Sequence, residues 1–356
     1  MEKIVLKTPS MEGKIFIGKD TVESRLPLLT QGQTNFVLTD EKVYALYKEW
    51  FLRYFDSAEI CVLPAGEESK TFHFLQAILE KMAGAGMRRN SRLFAVGGGV
   101  IGDIGGLAAA LYMRGISYAQ IPTTLLAQVD SGVGGKTAVD LNGIKNIVGA
   151  FYQPCEVLID PAFLSTLPDR ERKCGLGEII KYAALSGEIF DRIENNLASW
   201  TDLAFLETLI VECVRYKVRV VEEDERETGV RRSLNLGHTT GHAIELYSGL
   251  SHGESVLYGM FLETQMAVAA GVCEREYGER LLALVSEAIE QKPKEIVDLS
   301  CVETLVEKAR LDKKNTDDRI TMSVAKAKGE WTTYALPVEE YEKALKKAIE
   351  KILPKK

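Results

Sequence analysis

Short runs of apolar, β-prone residues recur along the first part of the chain, at positions 35–39, 60–63, 93–96, 118–121 and 157–159. They are hardly interrupted by polar positions, as expected of strands buried on both faces. Longer amphipathic stretches, such as 71–82, separate several of them and predict helices. The pattern is that of a mostly parallel, Rossmann-like sheet with helices on both sides. After Pro168 the texture changes. Helical periodicity dominates from Arg170 to Ile352, and the clear β-rich exceptions are 320–323 and 331–336. The expected architecture is an α/β N-terminal domain over residues 1–167, followed by a mainly α-helical C-terminal domain over residues 168–356.

Composition narrows the function classes. Hydrophobic residues make up 46% of the chain and charged residues 27%, with a formal net charge of -7. An acidic chain without a Lys/Arg block is a poor partner for nucleic acid. No stretch approaches the roughly 18 apolar residues of a membrane span. The charged start, Met1-Glu2-Lys3, lacks the apolar region of a signal peptide. Six scattered cysteines without a C-x-x-C suit buried thiols in a reducing compartment. The expectation is a cytoplasmic protein with no membrane partner.

Two glycine-rich segments suggest ligand loops. Gly97-Gly98-Gly99-Val100-Ile101-Gly102-Asp103 follows a predicted strand and opens a predicted helix. Its glycines would let backbone N–H groups approach a pyrophosphate. The usual ribose-binding acid about 20 residues later is missing, but Asp40 and Glu67 follow other strands and could serve. The second segment, Asp130-Ser131-Gly132-Val133-Gly134-Gly135-Lys136-Thr137, departs from a P-loop because Asp130 stands where glycine is required. An acid and a lysine on one glycine-rich segment suit a ligand with hydroxyls and a phosphate.

The chain has four histidines, and His238, His242 and His252 are clustered. His238 and His242, at i and i+4, share one helix face, while His252 stands at the start of a further predicted helix. Such a cluster favours a metal site. Glu178 is the best carboxylate candidate, three residues before Lys181 in an otherwise apolar helix, where a charged pair is costly unless it has a task. Arg114, Lys145, Lys217, Arg231 and the pair Lys313 and Lys314 each lie beside a motif. Together they would suit a ligand carrying both a carboxylate and a phosphate.

These residues, read together, resemble the 3-dehydroquinate synthase family. The resemblance rests on Pro64-x-Gly66-Glu67-x-x-Lys70, the Gly97–Asp103 segment, Met113-Arg114-Gly115, the run from Gln120 to Ser131, Lys145-Asn146, Gly149-Ala150-Phe151-Tyr152-Gln153-Pro154 and Leu234-Asn235-Leu236-Gly237-His238. It implies a homodimeric lyase of the shikimate pathway that uses NAD⁺ and Zn²⁺ or Co²⁺. The implied reaction converts 3-deoxy-D-arabino-heptulosonate 7-phosphate to 3-dehydroquinate and phosphate. It proceeds by transient NAD-dependent oxidation, phosphate elimination, re-reduction and intramolecular aldol closure.

The resemblance makes Glu178, His238 and His252 the metal ligands and leaves His242 near the phosphate. It places NAD⁺ along Asp40, Glu67, Lys70, Gly98, Gly99, Val100, Asp103, Thr123, Thr124, Lys136, Lys145, Phe163 and Thr166. Substrate would meet Asp130, Lys136, Lys145, Asn146, Lys181, Lys217, Arg231, Asn235 and His242, with Arg114 reaching across the dimer. Ala138 and Ile144 replace glycines usual in the family, and Asp40-Glu41-Lys42 lacks a usual Asn. Other sugar phosphate cyclases and metal-dependent polyol dehydrogenases of the same two-domain plan are the alternatives. The dehydrogenases would not need the Lys217, Arg231 and Asn235 set, because their substrates lack a carboxylate, and cyclases of carboxylate-free sugars should differ around Arg231, Asn235 and His242.

Overall fold

The structure is a computed structural model describing residues 1–289, 291–310 and 318–352. It divides into two compact units, Met1–Arg172 with Asp202–Arg226, and Lys173–Thr201 with Glu227–Lys356.

The first unit is built on a seven-stranded sheet. Its strands are β1 (Glu2–Lys7), β2 (Glu12–Ile17), β3 (Asn35–Asp40), β4 (Glu59–Leu63), β5 (Arg92–Gly97) and β6 (Ser117–Pro122). A hairpin of β7 (Lys136–Leu141) and β8 (Ile144–Phe151) stands apart, and β9 (Glu156–Ile159) completes the sheet in the order β1-β2-β9-β6-β5-β3-β4. Every pairing in the sheet is parallel except β1 with β2. All five expected strands are present, as β3, β4, β5, β6 and β9.

The both-sided burial read from the apolar runs is realised residue by residue. Phe36, Leu38, Leu93 and Ala95 face one core with Ile78, Met82 and Ile104. Their neighbours Val37, Phe94 and Val96 face the other, with Leu26, Phe51 and Phe55. Successive strand residues point to opposite faces, so both layers of helices are needed to keep this surface from water.

Two features were not anticipated. The β1–β2 pair mixes charged with apolar residues at a sheet edge, which hides its strand signal. The β7–β8 hairpin is largely exposed along β8. Its signal is the Asn142-Gly143 pair, with φ of 52° and 76°, between the paired Leu141 and Ile144. That is the two-residue turn whose backbone twist matches a hairpin.

In the second unit helices dominate. The helix Asp169–Leu185 enters it from the first unit, and the helices His238–Ser248 and His252–Ala269 form its centre. The two β-rich exceptions form an antiparallel pair, β10 (Arg319–Ala327) with β11 (Glu330–Pro337). This pair supports the start of the His238 helix: Leu236 bridges to Ser323, and the Thr239 hydroxyl donates to the Thr321 carbonyl at 3.1 Å.

Candidate active site

Each residue of the metal cluster lies beside a glycine. A Cβ on Gly177 would fall 2.3 Å from the Gly253 carbonyl oxygen, and one on Gly253 would fall 1.8 Å from that of Cys174. A Cβ on Gly241 would meet the Ser255 carbonyl at 2.9 Å. Gly237 has a φ of 76°, and a Cβ there would strike Met260 Cγ at 2.3 Å. Backbones that close leave no slack between helices. The side chains at Glu178, His238, His242 and His252 therefore project from fixed positions.

What those side chains form is compact. The imidazoles of His238, His242 and His252 offer ring nitrogens all within 4.8 Å of one another. Glu178 Oε1 lies 3.6 Å from His238 Nε2 and 3.4 Å from His252 Nε2. Glu178 is fully buried and forms an ion pair with Lys181, itself 1% exposed. A fully buried carboxylate is costly unless its charge is compensated; Lys181 does so at one oxygen, and the two imidazoles face the other.

Two of the imidazoles are oriented from behind. His238 Nδ1 stands 3.0 Å from the Leu236 carbonyl oxygen, and His252 Nδ1 stands 3.0 Å from Glu245 Oε2. Each acceptor holds a proton on Nδ1, so that Nε2 is the nitrogen turned toward Glu178. Burial acts to lower the basicity of His252, but Glu178 and Glu245 more than offset it and push its pKa up to about 9. That extra proton must leave before Nε2 can bind a cation. Imidazole nitrogens with one carboxylate oxygen are a borderline donor set, suited to Zn²⁺ or Co²⁺. The residues fit such an ion.

The first unit carries the nucleotide features. In the sheet, β3 is flanked by β4 on one side and β5 on the other. The chain therefore reverses its direction of strand addition there, and ligands of open α/β sheets bind at the carboxyl ends of such strands. Asp40 ends β3 and Gly97-Gly98-Gly99 follows β5. The helix Gly99–Leu111 starts at Gly98 without a side-chain cap, so its first N–H groups suit an anion.

Lys70 Nζ meets Asp103 Oδ2 at 2.6 Å and Glu67 Oε1 at 3.6 Å, which gathers three of the expected cofactor residues. Burial would depress Lys70, but Asp103 and Glu67 hold it above the usual lysine value. Asp40 caps a short helix by accepting from the Lys42 and Val43 amides, both at 3.0 Å. Thr123 is bonded through its amide to the Gly97 carbonyl. Thr166 shares a 2.6 Å hydrogen bond with the Tyr47 hydroxyl, whose ring packs edge-on to Phe163.

The basic residues divide sharply by burial. Lys217 is buried and pairs with Asp130, donating also to the Asp130 carbonyl at 2.7 Å. Arg231 is 1% exposed, in the short helix Val230–Asn235 that leads into the His238 helix. Asn235 donates to Glu227 Oε1 at 2.5 Å. By contrast, Arg114, Lys136, Lys145 and Asn146 are exposed. Met113 and Arg114 both have positive φ, 48° and 67°, a costly conformation for two adjacent non-glycine residues. Lys313 and Lys314 lie outside the described residues.

Comparison with known proteins resolves the family. A model of the 3-dehydroquinate synthase N-terminal region matches residues 60–174, and one of the C-terminal region matches residues 175–315. The chain is 40% identical over 354 residues to the 3-dehydroquinate synthase of Alkaliphilus metalliredigens, covering 96% of this chain and 97% of that protein. The chain belongs to the 3-dehydroquinate synthase family. The corresponding protein of Thermoanaerobacter sp. is 43% identical over 321 residues, 87% of this chain and 89% of its own length.

Solved structures extend the relation beyond this family. A 2-deoxy-scyllo-inosose synthase complexed with carbaglucose-6-phosphate, NAD⁺ and Co²⁺ superposes with a TM-score of 0.86 at 25% identity, covering 97% of this chain and 99% of that one. A 2-epi-5-epi-valiolone synthase from Streptomyces hygroscopicus with NAD⁺ and Zn²⁺ bound gives 0.84 at 27% identity, over 99% and 100% of the two chains. An iron-containing alcohol dehydrogenase from Thermococcus thioreducens gives 0.68 at 17% identity, over 97% and 99%, and shares the fold. Glu245 and Glu263, one on each of the two histidine-bearing helices, have no signal in the sequence: a half-buried acid and an acid within a core helix carry no spacing pattern of their own.

Proposed function

We propose that this chain is a 3-dehydroquinate synthase, taking 3-deoxy-D-arabino-heptulosonate 7-phosphate to 3-dehydroquinate and phosphate. The observation that carries the reading is the cluster of buried Glu178 and His238 with half-buried His252, in a chain 40% identical to a named synthase over nearly its whole length. When bound, NAD⁺ supplies a reversible hydride acceptor, and a Zn²⁺ or Co²⁺ ion polarises the substrate's ring hydroxyls.

This chain's own residues supply position and charge. Glu178, His238 and His252 hold the ion, and Lys181 offsets the carboxylate beside it. His242, in the same cluster, stands as the polar or acid–base group for the phosphate. Arg231 grips the substrate carboxylate with its guanidinium fork. Lys217 adds charge for that carboxylate, while its partner Asp130 accepts from a substrate hydroxyl. Lys136, Lys145 and Asn146, on the exposed hairpin, meet both substrate and cofactor, and Asn235 completes the pocket. The cofactor runs along Asp40, Glu67, Lys70, the Gly98–Asp103 turn, Thr123, Thr124, Phe163 and Thr166. The chief task is to hold one conformer while several bonds change in turn.

We further propose a cytoplasmic homodimer in which Arg114 serves the partner's site. The strained Met113-Arg114 turn and the exposed Leu111, Ile144 and Ile147 support this arrangement. Among the described residues no helix is long and apolar enough to cross a membrane. Incubation of the purified protein with NAD⁺, Zn²⁺ and the heptulosonate phosphate should release phosphate and 3-dehydroquinate in equal amounts. Release of neither from folded, metal-loaded protein would refute the assignment.

A further inference from the structure

Two helices begin at metal-cluster residues, and their first turns are satisfied in different ways. The helix His252–Ala269 has its own capping box: Ser251 accepts from the Glu254 amide, and Glu254 Oε2 accepts from the Ser251 amide at 3.1 Å. The helix His238–Ser248 has glycine at the same N-cap position and threonine where Glu254 would stand, so it has no capping box of its own. Its two corresponding N–H groups are taken by one side chain from the neighbouring helix. Glu263 Oε2 accepts from the Gly237 amide at 3.2 Å, and Glu263 Oε1 accepts from the Thr240 amide at 2.7 Å.

Glu263 is 1% exposed, so this carboxylate is committed to the interior. The two amides bracket His238 in the chain. Gly237 is held at a φ of 76°, and the entry angle of the helix, and hence the direction of the His238 ring, follows from that residue. Charge adds to geometry. A helix N-terminus carries roughly half a positive charge, and two such ends beside a divalent cation repel it unless carboxylates compensate. Glu254 does so at one end and Glu263 at the other.

We propose that Glu263 is a positioning residue of the metal centre: by capping the His238 helix from its neighbour, it fixes His238 for the ion and neutralises the helix end facing it. This rests on the metal reading above. Residues behind a ligand typically contribute about 10- to 100-fold to metal affinity. Glu263→Gln keeps a single acceptor oxygen and turns an amide NH₂ toward the remaining backbone donor, and Glu263→Ala keeps none.

The test is a Co²⁺ titration against a competing chelator, following the visible absorption of the bound ion, with folding checked by circular dichroism. Wild type, Glu263→Gln, Glu263→Ala and Met266→Ala are compared, the last being a buried control on the same helix. The expected result is a Co²⁺ Kd raised about 10-fold in Glu263→Gln and about 100-fold in Glu263→Ala, with an altered absorption band. Met266→Ala should melt earlier while binding Co²⁺ as wild type does. If Glu263→Ala does not fold, Glu263→Gln decides the matter. Folded Glu263 variants that bind Co²⁺ like wild type would overturn the inference alone, as would equal weakening in Met266→Ala. A wild-type protein that takes up no Co²⁺ would overturn the metal reading, and this inference with it.

Discussion

The two units differ in how many of their candidate charged side chains they keep from water. In the second unit Glu178, Lys181 and Arg231 are sealed among helices that touch backbone to backbone through glycines. In the first unit Lys136, Lys145 and Arg114 are exposed on a hairpin and a strained turn, while Lys70 and Lys217 are buried in ion pairs with Asp103 and Asp130. The second arrangement is built in advance, with the geometry fixed before any ligand arrives. The exposed cations Lys145 and Arg114 stand on β8 and on the strained turn, segments that bury little and are of the kind that a ligand can order. Electrostatic preorganisation is worth most where water is excluded, which on the proposed reading would suit tight metal binding in one unit and reversible cofactor binding in the other.

The sharpest way to break this contrast is at the metal. His252→Ala should lose bound Zn²⁺ almost completely, while His242→Ala should keep most of it, as read by metal analysis after gel filtration. Equal loss in the two variants would remove the distinction between ligand and neighbour. The next largest effect concerns the buried pair of the first unit. Asp130→Asn removes the carboxylate charge beside the buried Lys217 ammonium and should cost on the order of 3 kcal/mol of stability, measured by urea denaturation, without loss of metal. An unchanged denaturation midpoint would mean that Lys217 is cheaply rehydrated.

Arg231→Lys keeps the charge but loses the two-pronged grip. It should lower kcat/KM by about ten- to a hundred-fold, as for a lost hydrogen bond to a charged group worth about 1.5–3 kcal/mol. Zn²⁺ content should not change. Kinetics like wild type would detach Arg231 from substrate. The smallest effect is expected at the glycine turn. A Cβ on Gly98 would sit 3.0 Å from Thr124 Cγ2, so Gly98→Ala should shift the turn slightly and weaken NAD⁺ binding by a few-fold. Calorimetric titration would show this, and no change would place the pyrophosphate elsewhere.

The same contrast explains what could be read from the chain. Buried strands such as 93–96 announce themselves through uninterrupted apolar residues, and His238 and His242 through helical spacing. These signals arise because the fold must bury one kind of residue and align another. Glu178 was legible for a related reason: a charge in an apolar helix conflicts with its surroundings. The β7–β8 hairpin buries little along β8 and so left only its Asn142-Gly143 turn. Arg231 and Lys217 stood out only as basic residues beside motifs; that they are buried was not legible, because burial of a long cation depends on partners distant in sequence. Glu263 was hidden for that reason too, since its partners, Gly237 and Thr240, lie in another helix.

The central claim is a phosphate-eliminating cyclisation in which the nicotinamide is restored on every turnover. It is tested most directly by supplying NAD⁺ well below the concentration of the heptulosonate phosphate and following phosphate release and NADH absorbance together. The account predicts many phosphates released per NAD⁺ with no net NADH. NADH accumulating in step with substrate consumption, or phosphate release that stops after one equivalent of NAD⁺, would contradict it and move the protein to the dehydrogenases that share its fold.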